Sequence, residues 1–164
     1  GQDHRDSRSQ QQLIADAVSK ARKADYVIVF GGLNKSDYQD CEGHDRKQYE
    51  LPYQQDELVE ALAKVNKNMV YVNISGNAVA MPWRDKVPAI VQGWFIGSEA
   101  GEALADVLTG KVNPSGKLPF TWPASLEDVG AHALKAYPGT WRADHKIIDE
   151  EYKEGIYVGS VAYR

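Results

Sequence analysis

At 164 residues, with 43% apolar and 26% charged side chains, the chain has the composition of one ordinary globular domain. A net charge of −4 lacks the basic footprint of a nucleic-acid binder, and no apolar run reaches the roughly 18 residues of a membrane span. A single cysteine, Cys41, excludes an internal disulfide.

The polar start, residues 1–8, has no apolar core of the signal-peptide kind and reads as a flexible terminus. From Ser9 to Ala24, apolar residues at Leu13, Ile14, Ala17, Val18 and Ala21 recur with a helical period, predicting a helix near Gln10–Lys23. "DYVIVFGG" follows, a near-continuous apolar run of the kind found in strands buried on both faces, with its core at Tyr26–Phe30. A long polar loop leads to Leu51. Pro52 suits a first helical turn, and Leu58, Val59, Leu62 and Val65 mark the inner face of a helix near Gln54–Lys64. "NMVYVNISG" and "PAIVQGWF" read as two further buried strands, Met69–Ile74 and Ala89–Trp94. Ser98 is a candidate N-cap for a helix near Glu99–Leu108, and Gly110 a candidate stop. "KLPFTWP", Lys117–Pro123, reads as a short edge strand because it carries two prolines. Residues 124–151 read as a long irregular excursion, and "GIYVGSVAY" near the end as one more strand.

Strand–helix–strand units of this length predict an α/β fold: a mostly parallel sheet with helices on both faces, a flavodoxin-like sandwich filling residues 1–164 as one domain. Such sheets bind ligands beyond the C-terminal ends of their strands. The loops after Gly32, Gly76 and Phe95 leave from those ends.

The first of these loops holds "DYQDCEGHDRKQYELP", dense in carboxylates, bases and aromatics. Glu42, beside the conformationally permissive Gly43, has two readings. It is either a general acid/base, or one more solvated charge among Asp37, Asp40, Asp45 and Arg46. His44 is a proton-transfer group or an incidental loop histidine. Cys41 reads more readily as a half-buried packing residue than as a nucleophile, for want of a histidine motif to activate it. Trp94, at a strand end, stacks on a sugar ring or packs. Glu99 reads as a helix N-terminal charge. No metal-ligand spacing, phosphate loop or dinucleotide fingerprint is present in the sequence, and no cofactor is expected.

Taken in order, these segments resemble the second, α/β sandwich domain of glycoside hydrolase family 3, which includes the β-glucosidases. "ADYVIVFGG" resembles the strand before the acid/base loop. "CEGHDRKQYELPYQQDELVEAL" resembles the E-G-x-D-R…L-P…Q…A-L segment, and "NMVYVNISGNAVAMPW" the next strand with its P-W. The run from "VPAIVQGWFIGSEAGEALADVLTG" to "NPSGKLPFTWP" is the most specific match. "YKEGIYVG" resembles the returning segment, whereas "YVGSVAYR" departs from the family's usual ending. The resemblance covers residues 24–130 and 151–159.

It implies that Glu42 is the general acid/base and that Gly43, Asp45 and Arg46 shape its loop. Trp94 and His44 then become expected substrate contacts. It also implies a carbohydrate substrate and a periplasmic or secreted setting. The family's (β/α)8 barrel, which needs about 250 residues, and its upstream strand–helix units have no counterpart in this sequence. The expected partners are therefore such a barrel domain or a second copy of the chain. Retention of configuration needs two carboxyl groups about 5–5.5 Å apart. Residues of one short loop rarely oppose each other across a sugar, so the nucleophile is expected from the barrel and the chain alone is expected to be nearly inactive. The alternative is a degenerate, non-catalytic module that binds sugar or only packs against a partner.

Overall fold

A computed structural model describes residues 6–42, 44, 46–133, 140–141 and 148–149. By its internal contacts the chain divides into two compact units, Gly1–Lys117 and Leu118–Arg164, where the sequence reading expected one domain.

In the first unit, helix α1 spans Gln10–Ala21. It opens on a capping box: Ser9 Oγ accepts the Gln12 N–H, and Gln12 Oε1 accepts the Ser9 N–H. Just upstream, within the stretch expected to be flexible, Arg8 bridges Asp6 and Asp16. The charged hydrogen bond from Arg8 holds the partly exposed Asp6 carboxyl down at a pKa of about 2. Strand β1, Val27–Gly32, is followed by the polar loop and then by helix α2, Gln55–Val65. Strand β2 is Met69–Ile74, strand β3 is Ala89–Gln92 and helix α3 is Ala100–Leu108. The strands form one sheet in the order β1-β2-β3, parallel throughout. Val27 lies opposite Met69 and Val70 opposite Ala89.

The sheet has two unlike faces. On one, Tyr71 of β2 is fully buried, with Trp83 edge-on to it at 4.5 Å between ring centroids. Helix α2 adds Val59, Leu62 and Ala63 to this core. Trp83 Nε1 donates to Asp56 Oδ1 of α2 at 2.6 Å, which gives the buried indole N–H its partner. Asn66, at the end of α2, donates to the carbonyls of Ala21 and Ala24 and so ties down the end of α1. On the other face Val72 is fully buried, but Ile28 and Phe30 of β1 are about half exposed. The expectation that β1 is buried on both faces is therefore corrected: among the described residues β1 is an edge strand, and one of its faces lacks the cover that the central strand has.

At the C-terminal end of β1, Gly32 has φ +123°, and a Cβ there would lie 2.1 Å from the Ile74 carbonyl oxygen. No other residue fits that approach. Gly32 points its amide and carbonyl away from β2, and the Gln55 side chain meets both: Oε1 accepts the Gly32 N–H and Nε2 donates to the Gly32 carbonyl. A cavity of about 450 Å³ lies between α1, β1 and α2, lined by Leu13, Ile14, Ala17, Phe30 and Leu58 among others.

Three local expectations are corrected here. Pro52 precedes α2 rather than entering its first turn, because Tyr53 and Gln54 both take left-handed backbone angles and delay the helix to Gln55. Ser98 is not the N-cap of α3; Glu99 holds that position and makes no side-chain capping bond. Gly110 does end α3, at φ +77°. Residues 117–123 form no strand; Pro119 and Pro123 have no N–H to give to a ladder.

In the second unit, a 3₁₀ turn, Leu126–Asp128, is capped by Ser125 and leads into the short helix α4, Gly130–Ala133. Strands β4, Thr140–Trp141, and β5, Ile148–Asp149, pair antiparallel within the span expected to be irregular. The predicted strand at 155–163 lies outside the described residues.

Candidate active site at the strand ends

The C-terminal ends of β1, β2 and β3 carry a polar floor and an acidic rim. Asn73, Ser75 and Gln92 make the floor. Asn73 Nδ2 donates to Ser75 Oγ at 2.7 Å and to Gln92 Oε1 at 2.6 Å. Gln92 Nε2 returns to the Ser75 carbonyl at 3.0 Å, and Ser75 Oγ donates to the Asn77 carbonyl. Asn73 and Ser75 are completely buried. Such a network holds the two strand ends and their outgoing loops in fixed relation. Two polar residues inside the apolar run "MVYVNIS" were its signal in the sequence.

The rim is the loop from Asn34 to Tyr49. Its first turn is local: Asn34 Oδ1 accepts the Ser36 N–H, and the buried Gln39 side chain accepts the Asn34 N–H and donates to Tyr53 Oη. Tyr38 takes φ +62°, a left-handed angle that a bulky residue adopts only when its surroundings impose it. Three bonds then tie the rim to the loop after β2. Asp40 Oδ2 accepts the Gly76 N–H at 2.7 Å, Arg46 Nη2 donates to the Ala78 carbonyl at 2.7 Å, and Tyr49 accepts the Ala80 N–H at 3.0 Å.

Between the first two ties stands Glu42, in a turn and exposed to solvent. Its neighbours divide by role. The Asp40 carboxylate is engaged with Gly76, and the half-buried Arg46 reaches the Ala78 carbonyl. Gly43 and Asp45 lie outside the described residues. His44 is exposed; its Nδ1 stands 3.7 Å from Asp37 Oδ1, and its ring meets Tyr38 edge-on at 5.4 Å. Cys41 is half-buried and gives its thiol proton to the His44 carbonyl at 3.5 Å. Trp94 follows β3 at φ +59° and is partly exposed; Lys35 lies over the ring of its neighbour Phe95.

The fold thus gathers the loops after all three strands at one edge, joins the first two by named bonds, and leaves the Glu42 carboxylate offered outward between them. Sequence reasoning singled out Glu42, Arg46 and Trp94. It missed the Asp40–Gly76 tie, since a bond between residues 36 apart leaves no mark on periodicity.

The family model of the glycosyl hydrolase family 3 C-terminal domain matches residues 2–160. A β-glucosidase of Bacteroides ovatus is 59% identical over 149 residues, an alignment covering 90% of this chain and 19% of that protein. Beta-glucosidase B of Emericella nidulans is 47% identical over 152 residues, covering 90% and 18%. Among solved structures, the β-glucosidase from Kluyveromyces marxianus in complex with glucose superimposes with a TM-score of 0.73 at 41% identity, over 77% of this chain and 15% of that one. The chain therefore spans less than a fifth of the length of these relatives.

Proposed function

The chain belongs to the glycosyl hydrolase family 3 C-terminal domain family, and from that premise we propose that it supplies the general acid/base, Glu42, to a retaining β-glucosidase. The observation that carries this reading is the exposed Glu42 carboxylate, standing on the strand-end loop between the Asp40–Gly76 and Arg46–Ala78 ties. A general acid must reach a glycosidic oxygen bound outside its own domain, so it has to project from a loop whose base does not move. Two fixed ends and an exposed middle meet that need. The nucleophile comes from a barrel domain of the same enzyme, on the face opposite Glu42, at the short carboxylate separation of retaining enzymes. In the first step Glu42 protonates the departing oxygen while the barrel aspartate attacks the anomeric carbon. In the second, ionised Glu42 takes a proton from water as that water displaces the aspartate. Trp94 offers an apolar ring face to a bound sugar. The enzyme removes terminal β-linked sugars from oligosaccharides, and the chain without its barrel is nearly inactive.

The test is Glu42→Gln in the intact enzyme. Its kcat on alkyl β-glucosides, whose leaving groups need a proton, is expected to fall by about 10²–10⁴-fold. Aryl glycosides with acidic leaving groups lose less in the first step. Added azide, an anion that needs no base, is expected to restore turnover and yield the β-glycosyl azide. A variant with kcat within about twofold of the parent on both substrate classes would remove Glu42 from the mechanism.

A further inference from the structure

The rim brings together three side chains that the glycosidase reading leaves without a task. Asp37, Cys41 and His44 each offer one donor atom, and these atoms all lie within 4.8 Å of one another. The sequence spacing, an aspartate, a cysteine four residues on and a histidine three beyond that, carries no standard metal signature; the three meet in a loop that turns through Tyr38 at φ +62°. We propose that Asp37 Oδ1, Cys41 Sγ and His44 Nδ1 form a three-ligand site for a single divalent transition-metal ion of zinc type, open at the fourth position.

The donor set selects the metal. A thiolate with an imidazole suits a borderline-soft ion such as zinc and disfavours magnesium or calcium, which require oxygen ligands. One carboxylate and one thiolate carry two negative charges, which a dication neutralises. The distances fit as well. Tetrahedral zinc with bonds of about 2.0–2.3 Å places its ligand atoms about 3.3–3.7 Å apart. His44 Nδ1 and Asp37 Oδ1 already stand 3.7 Å apart. The thiol, now donating to the His44 carbonyl, closes the set by rotating about its χ1 bond. On binding, its proton leaves to solvent and sulfur bonds the metal as thiolate. Asp37 and His44 are exposed and Cys41 is half-buried, so an ion reaches the site without the fold opening. The site gives His44 a metal to hold in place of the sugar contact expected from the sequence. It is independent of the acid/base role of Glu42, and its test uses no activity measurement.

Cys41 is the only cysteine in these 164 residues, and alkylation followed by mass spectrometry on the peptide that carries it reads this one sulfur. Stoichiometric zinc is expected to slow alkylation at least about tenfold, and Asp37→Asn and His44→Gln are each expected to abolish most of that protection. Cobalt(II), added alone, is expected to produce a thiolate-to-cobalt charge-transfer band that Cys41→Ser removes and zinc displaces. Circular dichroism checks that these surface variants stay folded. Unchanged alkylation in the presence of zinc would overturn the proposal. So would protection of equal strength in both ligand variants, which would mark a lone thiol, or a cobalt band that survives in Cys41→Ser.

Discussion

The Trp83 core and the Asn34–Tyr49 rim stand at the two extremes of how this chain holds a shape. Around Trp83, Tyr71, Met69 and Val59 are all essentially excluded from water, and order comes from desolvation and close packing. The rim buries little beyond Gln39 and Tyr49, and its order comes from three hydrogen bonds to the next loop. Packing spreads its energy over many contacts, whereas the rim concentrates it in a few. A domain built this way can vary the residues between the ties while keeping its frame, which suits a loop that has to present chemistry.

The contrast breaks most visibly in the core. Trp83→Ala removes the largest fully buried side chain and takes the indole hydrogen bond from the half-buried Asp56, so a loss of about 3–5 kcal/mol is expected in urea unfolding. A loss under about 1 kcal/mol would mean that the core is not the frame. Next comes Gly32→Ala, where the new Cβ meets the Ile74 carbonyl at a positive φ; about 3 kcal/mol is expected, with no change in the slope against urea.

Asp56→Asn sharpens the comparison through pH. Burial, opposed by the Trp83 hydrogen bond, raises the Asp56 pKa above its usual value of 3.8. A carboxyl raised in the folded state contributes stability that is complete below its unfolded pKa and is lost as pH rises through the folded value. Wild type is therefore expected to lose ground to Asp56→Asn as pH is raised from about 4 to about 7. Parallel urea curves at the two pH values check this, and an opposite trend would show that the hydrogen bond outweighs burial. The smallest effect belongs to the rim: Glu42→Gln is expected to leave stability within about 0.5 kcal/mol, although it removes the proposed acid. A larger loss would place Glu42 among the ties.

Much of the frame was legible. The apolar runs at Val27–Gly32, Met69–Ile74 and Ala89–Gln92 are strands, in parallel register, because three such runs joined through a helix or a long connection leave few other arrangements. Their ends were less so. Trp94 and Tyr38 adopt left-handed angles that tertiary contacts impose and local preference opposes. Residues 117–123 read as a short edge strand, yet their prolines withhold the donors a ladder needs. At the site, the sequence placed Glu42 on a polar loop beyond β1, where it stands exposed. The convergence of Asp37, Cys41 and His44 was not legible, because it depends on how one turn folds back.

The Gln55 amide at Gly32 has a consequence for how the domain opens. The amides of Val27 and Leu33 are held by backbone carbonyls at Asn68 and Ile74, so deuterium reaches them when β1 separates from β2. The Gly32 amide, between them in the same segment, is held by a side chain of α2. Its exchange reports the lifting of that helix, and two neighbouring amides, at positions 32 and 33, time two different openings of one molecule.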